Sequence, residues 1–339
     1  MKKIILLISL FVFTLSILAQ QTERSISIIP EPVSVVKKGG HYVLPDDVVV
    51  SIPKGEKSNY LKNLLEEKLT TAPGKRVQFI NTDDNADIVL LLNPVENNEI
   101  GDEGYTLQVT SDKVIIYANK SPGHLYGLQT FFQLLPPQIE SSKKEDNVSW
   151  QVPQVEIVDY PRVGWRGLML DVSRHFFTVD EVKRYIDNMV KYKFNMFHWH
   201  LTDDEGWRIE IKSLPKLTEV GAWRAEQIGW FGGFEQPDAD APKNYGGFYT
   251  QDEIKDVVNY ALERNIQIMP EIDVPGHSSA VLAAYPELAC FPESGDHFVR
   301  TGATFLDWNT GGRPEAIYEN TLNPANDKVY EFMDKVITE

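Results

Sequence analysis

Histidine and carboxylate side chains are concentrated in one stretch of the sequence, residues 194–208, which reads FNMFHWHLTDDEGWR. Apolar and polar residues alternate in its first half, so the pattern predicts a strand with His198 and His200 on one face. Asp203 and Asp204 follow in an acidic turn that ends in a glycine. Two imidazoles on one strand face are typical of metal-binding barrel hydrolases, but they can also fill a barrel interior. The spacing alone leaves both interpretations open.

Two further stretches, residues 167–175 (GLMLDVSRH) and 266–277 (IQIMPEIDVPGH), also place polar residues at the end of an apolar strand. These polar residues are Asp171, Arg174 and His175 in the first stretch and Glu271, Asp273 and His277 in the second. Parallel α/β barrels build their sites at the carboxyl ends of their strands. We therefore expect Asp203 and His277 to meet at one rim, where the carboxylate would fix the tautomer of the histidine. The alternative is a surface carboxylate and a histidine that merely begins a helix.

Glu271 and Asp273 share one face of their predicted strand, and paired carboxylates are typical of glycoside hydrolysis. For Glu271 we favour a structural role in which it bonds to a partner such as Arg174. Arg166 has the opposite strand parity from Asp171. Strand periodicity therefore does not bring these two residues into one pocket.

The elements that must position these residues fall into two regions. Residues 20–155 combine short strands with helical segments and predict a small α/β domain. From about residue 156 strands and helices alternate, which implies parallel pairing and right-handed crossovers. The alternation yields about three barrel strands, whereas a closed (β/α)₈ barrel needs eight. We predict the α/β class, with the small domain followed by the first part of a TIM-type barrel, cut short, over residues 156–339.

The amino terminus has the features of an export signal. Two lysines precede the apolar run Ile4–Leu18, and Ala19 offers a small residue for cleavage. The run is short for a membrane span, so we predict a signal peptide over residues 1–19. The protein would then be exported, periplasmic or secreted, with no membrane insertion after cleavage. Cys290 is the only cysteine, which rules out a disulfide within the chain, and the net charge of −16 disfavours nucleic acid as a partner.

Three long motifs occur in order along the second region. They are Arg166-Gly167 with Leu170–Phe176 (LDVSRHF), Asn195–Asp204 (NMFHWHLTDD) and Pro270–His277 (PEIDVPGH). Two shorter motifs, Glu103-Gly104-Tyr105 and Tyr126–Thr130 (YGLQT), lie in the first region. On these motifs the chain resembles the family 20 glycoside hydrolases, the β-N-acetylhexosaminidases, over nearly its whole length after the signal segment.

The resemblance implies substrate-assisted hydrolysis of terminal N-acetylhexosamine residues with net retention. The 2-acetamido carbonyl of the sugar attacks its own anomeric carbon, a Glu protonates the leaving oxygen, and a preceding Asp orients the acetamido group. The resemblance also implies that Asp203 and His277 form a relay that supports the acid. Arg166 would bind sugar hydroxyls, with His200 and Asp204 as further substrate-binding residues. No metal and no organic cofactor are implied, and the expected partners are glycans that contain N-acetylglucosamine or N-acetylgalactosamine.

The motif that would carry the acid is missing from the sequence. The family places its catalytic pair in a His-x-Gly-Gly-Asp-Glu-like motif after the fourth barrel strand, and no such motif follows His277. We therefore expect the 339-residue chain to be an inactive N-terminal fragment. Two other interpretations stay open. One is a metal-dependent barrel hydrolase that uses His198 and His200, and the other is a non-catalytic sugar-binding protein.

Overall fold

A computed structural model describes most of the chain after its first 25 residues. The described residues are 26–55, 58–228, 237–238, 240–295, 297–302, 306–308, 314–316 and 319–339. The predicted signal peptide, residues 1–19, lies outside them, so export stays a prediction. None of the helices in these ranges combines the length and the hydropathy of a transmembrane segment.

The elements follow in chain order. The first domain contains β1 (Ser34–Val43), β2 (Asp47–Ser51), α1 (Ser58–Thr71), β3 (Arg76–Ile80), β4 (Ile88–Leu92), β5 (Tyr105–Val109), β6 (Val114–Ala118), α2 (Ser121–Leu134) and β7 (Gln151–Asp159). The second region contains β8 (Gly167–Asp171), α3 (Val179–Lys191), β9 (Met196–Asp203), β10 (Gly206–Trp207), α4 (Lys216–Glu219), β11 (Trp223–Arg224), β12 (Tyr245–Gly246), α5 (Gln251–Glu263), β13 (Gln267–Ile272), α6 (Ser279–Ala284), β14 (Leu306–Trp308), β15 (Pro314–Ala316) and α7 (Asp327–Thr338).

The first domain is built on a seven-stranded sheet in the order β1-β7-β5-β6-β4-β2-β3. β5 pairs antiparallel with β6 and β7, whereas β4 pairs parallel with β2 and β6. Buried and half-buried residues alternate along β5 and β6, as expected for strands with one face against a core. This mixed sheet, with the parallel strands of the second region, confirms the predicted α/β class.

Helix α2 joins the two regions, and nearly all of its residues are buried. It packs on β5 and β6 and also contacts α3 of the second region. Two glycines allow this close packing. A Cβ at Gly123 would lie 2.2 Å from the carbonyl oxygen of Gly104, and one at Gly127 would lie 2.5 Å from Cγ2 of Ile116. Any larger side chain at either position would push the helix away from the sheet.

The second region contains three parallel strands, within the described residues, in the order β8-β9-β13. Their register aligns two rows of side chains across the sheet. The rows are Met169, His198 and Met269, followed toward the carboxyl end by Asp171, His200 and Glu271. Because side chains alternate between faces, both rows share one face of the sheet. This is the face that points inward in a closed barrel, and the strand count agrees with the three predicted.

The opposite face of these strands is apolar and is covered by α3 and α5. Phe197, Trp199 and Leu201 of β9 are at most 1% exposed. Val182 of α3 and Val257 of α5 are buried in the same core. Apolar burial contributes about 25 cal/mol per Å², so packing fixes which face of each strand the helices cover. The histidine-bearing face is thereby left for the site.

Helix α5 begins at a capping box. Oγ1 of Thr250 accepts a hydrogen bond from the backbone N–H of Glu253 at 3.2 Å, and the Glu253 carboxylate accepts from the backbone N–H of Thr250 at 2.8 Å. α3 begins in the same way at Thr178 and Glu181. These caps satisfy N–H groups that have no partner inside the helix, and they set the start of each helix that supports the strands.

Candidate functional site

The carboxyl ends of β8, β9 and β13 bring ionisable side chains from three segments to one rim. Because Asp171, His200 and Glu271 are paired in register, the residues that follow each strand end are also neighbours. Polar atoms of His200, Glu271 and Asp273 lie within 4.8 Å of one another. The resulting cluster is acidic, with arginine and histidine side chains set between its carboxylates.

Asp203 and His277 form the pair predicted from the sequence. Nδ1 of His277 lies 3.0 Å from Oδ1 of Asp203. Nδ1–H therefore donates to the carboxylate, and Nε2 is left for a second partner. The Asp203 side chain is 1% exposed and that of His277 is 52% exposed. A buried anion thus orients an imidazole that faces solvent, and the predicted contact is confirmed.

Asp203 is held in its ionised form. Burial alone would raise its pKa, but hydrogen bonds from His200 and from the backbone N–H of Asp204, with the charges of Arg174 and His277, hold the pKa below its ordinary value. The bond from the Asp204 N–H is 2.6 Å long. Asp203 is therefore a fixed negative charge at neutral pH, which is what an imidazole partner needs in order to keep one orientation.

Arg174 is the positive centre of the cluster. Its Nη1 lies 2.9 Å from Oδ2 of Asp171, its Nη2 lies 2.5 Å from Oδ2 of Asp203, and its Nε lies 3.2 Å from Oε2 of Glu205. The side chain is 32% exposed, so N–H groups of the fork that face no carboxylate can reach a ligand. From the sequence we expected Arg174 only as a structural partner of Glu271, yet it contacts Asp203.

His200 bridges two carboxylates, and its substrate-binding role stays a prediction. Nε2 lies 3.0 Å from Asp203 and Nδ1 lies 2.6 Å from Glu271, and the side chain is 5% exposed. Burial works against the charged form, but the hydrogen bonds with Asp203 and Glu271 outweigh it and raise the pKa of His200 to about 9. At neutral pH it is an imidazolium with both nitrogens engaged. It joins β9 to β13 and leaves no donor for a sugar.

Glu271 lies between two histidines rather than beside Arg174. Its Oε2 is 2.5 Å from Nε2 of His198 and 2.6 Å from Nδ1 of His200. Burial would raise the pKa of Glu271, but the hydrogen bond from His200 and the positive charge there lower it. His198, Glu271 and His200 are therefore joined in one hydrogen-bonded cluster. The metal-dependent alternative stays a prediction.

Arg166 lies at the other end of β8, against the first domain. Nη1 and Nη2 donate to the two oxygens of Glu103 at 3.0 and 3.1 Å, and Nε donates to the carbonyl of Lys193 at 2.7 Å. Asn195 and Asn265 donate to the same carboxylate at 3.2 and 3.1 Å. A strand advances about 3.3 Å per residue, so β8 separates Arg166 from the rim by its whole length. Arg166 thus joins the two domains and lies away from the rim, and its role in sugar binding stays a prediction.

Asp204 is buried beneath the rim, with 4% exposure. One oxygen accepts from the backbone N–H of Ser279 at 3.0 Å, and the other accepts from Nδ2 of Asn320 at 3.0 Å. Ser279 begins α6, and Asn320 lies in the segment that precedes α7. Both oxygens are thus occupied by the protein. Asp204 holds later parts of the chain against β9, and its substrate-binding role stays a prediction.

No sequence pattern singled out Arg208, which is fully buried. Its guanidinium donates to five carbonyl oxygens at 2.7 to 3.1 Å, those of Val172, Ser173, Glu205, Ala222 and Gly247. Burial, reinforced by Arg224, lowers the pKa of Arg208 to about 10, so it stays charged at neutral pH. Gly206 is required beside it, because a Cβ there would lie 2.1 Å from Cζ of Arg208. Arg208 ties the loops after β8 and β9 to the insertion between β10 and α5, which carries Ala222 and Gly247.

The sequence profile of glycosyl hydrolase family 20, catalytic domain, matches residues 163–339, and that of domain 2 of the same family matches residues 25–160. The chain is 39% identical over 317 residues to the beta-hexosaminidase of Porphyromonas gingivalis, covering 94% of this chain and 37% of that protein. It is 37% identical to the beta-hexosaminidase of Vibrio furnissii, covering 93% of this chain and 46% of that protein.

A solved structure shows the same likeness. The N-acetyl-beta-hexosaminidase of Streptomyces plicatus, in complex with Thio-NAglucal, superposes with a TM-score of 0.76 at 36% identity, over 91% of this chain and 55% of that one. The chain thus spans between about a third and a half of the length of these relatives. Both sequence profiles and these likenesses agree with the motifs and the rim described above. The chain belongs to glycosyl hydrolase family 20.

Proposed function

We propose that the protein is an exo-β-N-acetylhexosaminidase, which hydrolyses terminal non-reducing N-acetylhexosamine residues with retention. This chain would supply the relay that supports the acid and part of the sugar-binding rim. The observation that carries the proposal is the Asp203–His277 pair, a buried carboxylate 3.0 Å from a solvent-facing imidazole at the carboxyl rim of parallel strands. The named relatives in Porphyromonas gingivalis and Vibrio furnissii are beta-hexosaminidases.

In this proposal Asp203 and His277 act behind the proton donor. Asp203 is ionised and accepts from Nδ1–H of His277, which fixes the tautomer and leaves Nε2 directed to another group. An imidazole held in this way can stabilise a carboxylic acid before proton transfer and accept charge after it. His200 and Arg174 keep Asp203 ionised through contacts of 3.0 and 2.5 Å.

We assign binding of sugar hydroxyls to Arg174 rather than to Arg166. Arg174 lies at the rim and is partly exposed, whereas Arg166 is bound to Glu103 at the far end of β8. A guanidinium offers five N–H donors in a planar fork, which suits adjacent hydroxyl oxygens of a neutral sugar. The substrates would be glycans that end in N-acetylglucosamine or N-acetylgalactosamine.

The reaction would be substrate-assisted, as the family resemblance implies. The acetamido carbonyl attacks the anomeric carbon as the glycosidic oxygen leaves with a proton, and water then opens the oxazolinium intermediate with net retention. The acid Glu and the acetamido-orienting Asp have no counterpart in a motif after His277 of this sequence. Hydrolysis is therefore proposed for the whole protein, and the relay and ligand binding for this chain.

The test is hydrolysis of a chromogenic N-acetylglucosaminide by the 339-residue chain and by any longer product of the same reading frame. In whichever product is active, we expect Asp203→Asn and His277→Gln to lower kcat about 10²-fold, because proton transfer loses its support. Asp180→Asn, which removes an exposed acid at the start of α3, is the matched control. Unchanged kcat in Asp203→Asn would contradict the relay. Sugar binding without hydrolysis by any product would favour a non-catalytic sugar-binding protein.

Export is proposed on the amino-terminal pattern alone. A charged start followed by the apolar run Ile4–Leu18 and by Ala19 is typical of a cleaved signal peptide. Amino-terminal sequencing of protein recovered outside the cytoplasm should begin near Gln20. A mature protein that still begins at Met1 would contradict the proposal.

A further inference from the structure

Glu205 approaches Arg174 from the buried side of the rim. The residue is 4% exposed, and its Oε2 lies 3.2 Å from Nε of Arg174. Within the described part of the chain this oxygen has no aligned hydrogen bond, so the contact is one of charge rather than of a directed donor. Nη1 and Nη2 of the same guanidinium are engaged by Asp171 and Asp203. Glu205 is therefore the third carboxylate around the Arg174 guanidinium, and its contact is the least directional of the three.

Several charges face the Glu205 carboxylate. Burial raises the pKa of Glu205, the neighbouring Asp203 and Asp204 raise it further, and Arg174 and Arg224 oppose them, so the pKa lies at about 7. Arg224 belongs to β11 and is itself fixed, since one of its N–H groups donates to the carbonyl of Arg174 at 3.0 Å. Glu205 is thus surrounded by groups from β9, from the loop after β8 and from the insertion.

We propose that Glu205 is a positioning residue for Arg174, which holds the guanidinium from its buried side when ionised and releases that edge when protonated. Asp171 and Asp203 keep their contacts with Nη1 and Nη2 in both states. Loss of the third contact frees Nε and allows the planar fork to tilt, so the exposed N–H groups no longer keep one direction. The orientation of Arg174 therefore follows the protonation of Glu205 across neutral pH.

The consequence for ligand binding rests on the proposed function, because it assumes that Arg174 contacts sugar hydroxyls. An Arg174 guanidinium that is already held in one orientation loses less side-chain entropy when a ligand binds than a mobile one does. N-acetylglucosamine should therefore bind about two- to fivefold more weakly at pH 6 than at pH 8, the range expected for a single partly exposed ion pair. The effect on the arginine itself does not depend on that assumption.

The first experiment follows the arginine without a ligand. NMR spectra of arginine-labelled protein, recorded from pH 5.5 to pH 8.5, report the ¹⁵Nε resonance of Arg174, and ¹³C-detected spectra report the Glu205 carboxyl. We expect both to change with one midpoint near pH 7. Glu205→Gln, which keeps the shape but cannot ionise, should abolish the change at Arg174. Glu219→Gln, which removes an exposed acid of α4, should leave it intact.

The second experiment measures N-acetylglucosamine affinity at pH 6 and pH 8 in the same three proteins. The wild type and Glu219→Gln should show the two- to fivefold difference, and Glu205→Gln should show none. If the Arg174 resonance shifts near pH 7 while no protein binds the sugar at either pH, the positioning inference stands and the proposed function fails. An Arg174 resonance that does not change between pH 5.5 and pH 8.5, or that still changes in Glu205→Gln, would overturn the inference. If Glu205→Gln does not fold, the wild-type protein still tests the inference, because its Glu205 carboxyl and its Arg174 ¹⁵Nε resonance must change with the same midpoint.

Discussion

Replacing Arg166 by methionine distinguishes a residue that joins two domains from one that binds sugar. Arg166 makes two bonds to Glu103 at 3.0 and 3.1 Å, and the two side chains are 14% and 18% exposed. Methionine preserves much of the side-chain volume but offers no donor. Glu103 would keep its weaker partners, Asn195, Asn265 and Tyr126, but would lose its opposite charge.

The expected cost lies between two limits. Breaking a fully buried ion pair costs about 3–5 kcal/mol, because one charge is left buried and unpaired. An exposed pair contributes about 0–1 kcal/mol. Since the Arg166–Glu103 pair is mostly buried and bidentate, and since other donors remain near Glu103, we expect Arg166→Met to lower the free energy of unfolding by roughly 2–3 kcal/mol.

Urea unfolding followed by circular dichroism at pH 7 measures this loss. Arg162→Met, four residues earlier and exposed, is the matched control and should change stability by less than about 0.5 kcal/mol. N-acetylglucosamine affinity should be unchanged in Arg166→Met and reduced in Arg174→Met. If Arg166→Met keeps its stability but loses sugar binding, then the interdomain role assigned here to Arg166 is refuted and the original expectation from the sequence is restored.

Three further outcomes are expected from urea unfolding. Arg208→Lys should lower the free energy of unfolding by roughly 3 kcal/mol, because an ammonium cannot donate to all five carbonyl oxygens. A loss below about 1 kcal/mol would contradict the structural role of Arg208. Folding raises the pKa of His200 to about 9, so its contribution to stability should be complete below pH 6.5 and be lost as the pH rises through about 9. The free energy of unfolding should fall by roughly 3 kcal/mol over this range. His200→Gln should not show this fall. Thr250→Ala should cost about 1 kcal/mol through the capping box of α5, with no effect on sugar affinity.

The order of residues within each strand determined which side chains share the inner face of the three-stranded sheet. Side chains in a strand alternate strictly, so the order of residues in β9 alone places His198 and His200 together and Phe197 and Trp199 on the opposite face. The contact between Asp203 and His277 was also predictable, because neighbouring parallel strands end at the same edge. The repeat of the strand is sufficient for the shared face, and the rim contact needs in addition only the parallel pairing of the two strands.

Only the tertiary structure decided which arginine reaches the rim. Arg166 and Arg174 flank the same strand, and both stand beside polar residues of one motif. Arg166 donates hydrogen bonds to Glu103, which lies 63 positions earlier in the chain. Arg174 is placed among Asp171, Asp203 and Glu205 by the loop after β8. A motif records the spacing of its residues but not the position of a carboxylate from another domain.

Burial of the acidic turn was likewise beyond the sequence. Consecutive carboxylates are expected to face water, because desolvating a charge costs free energy unless donors replace the solvent. Here those donors come from distant segments. Ser279 and Asn320 satisfy Asp204, and the guanidinium of Arg174 faces Glu205. Whether a carboxylate is an exposed ligand or a buried support depends on such donors, and only the assembled fold brings them to the turn.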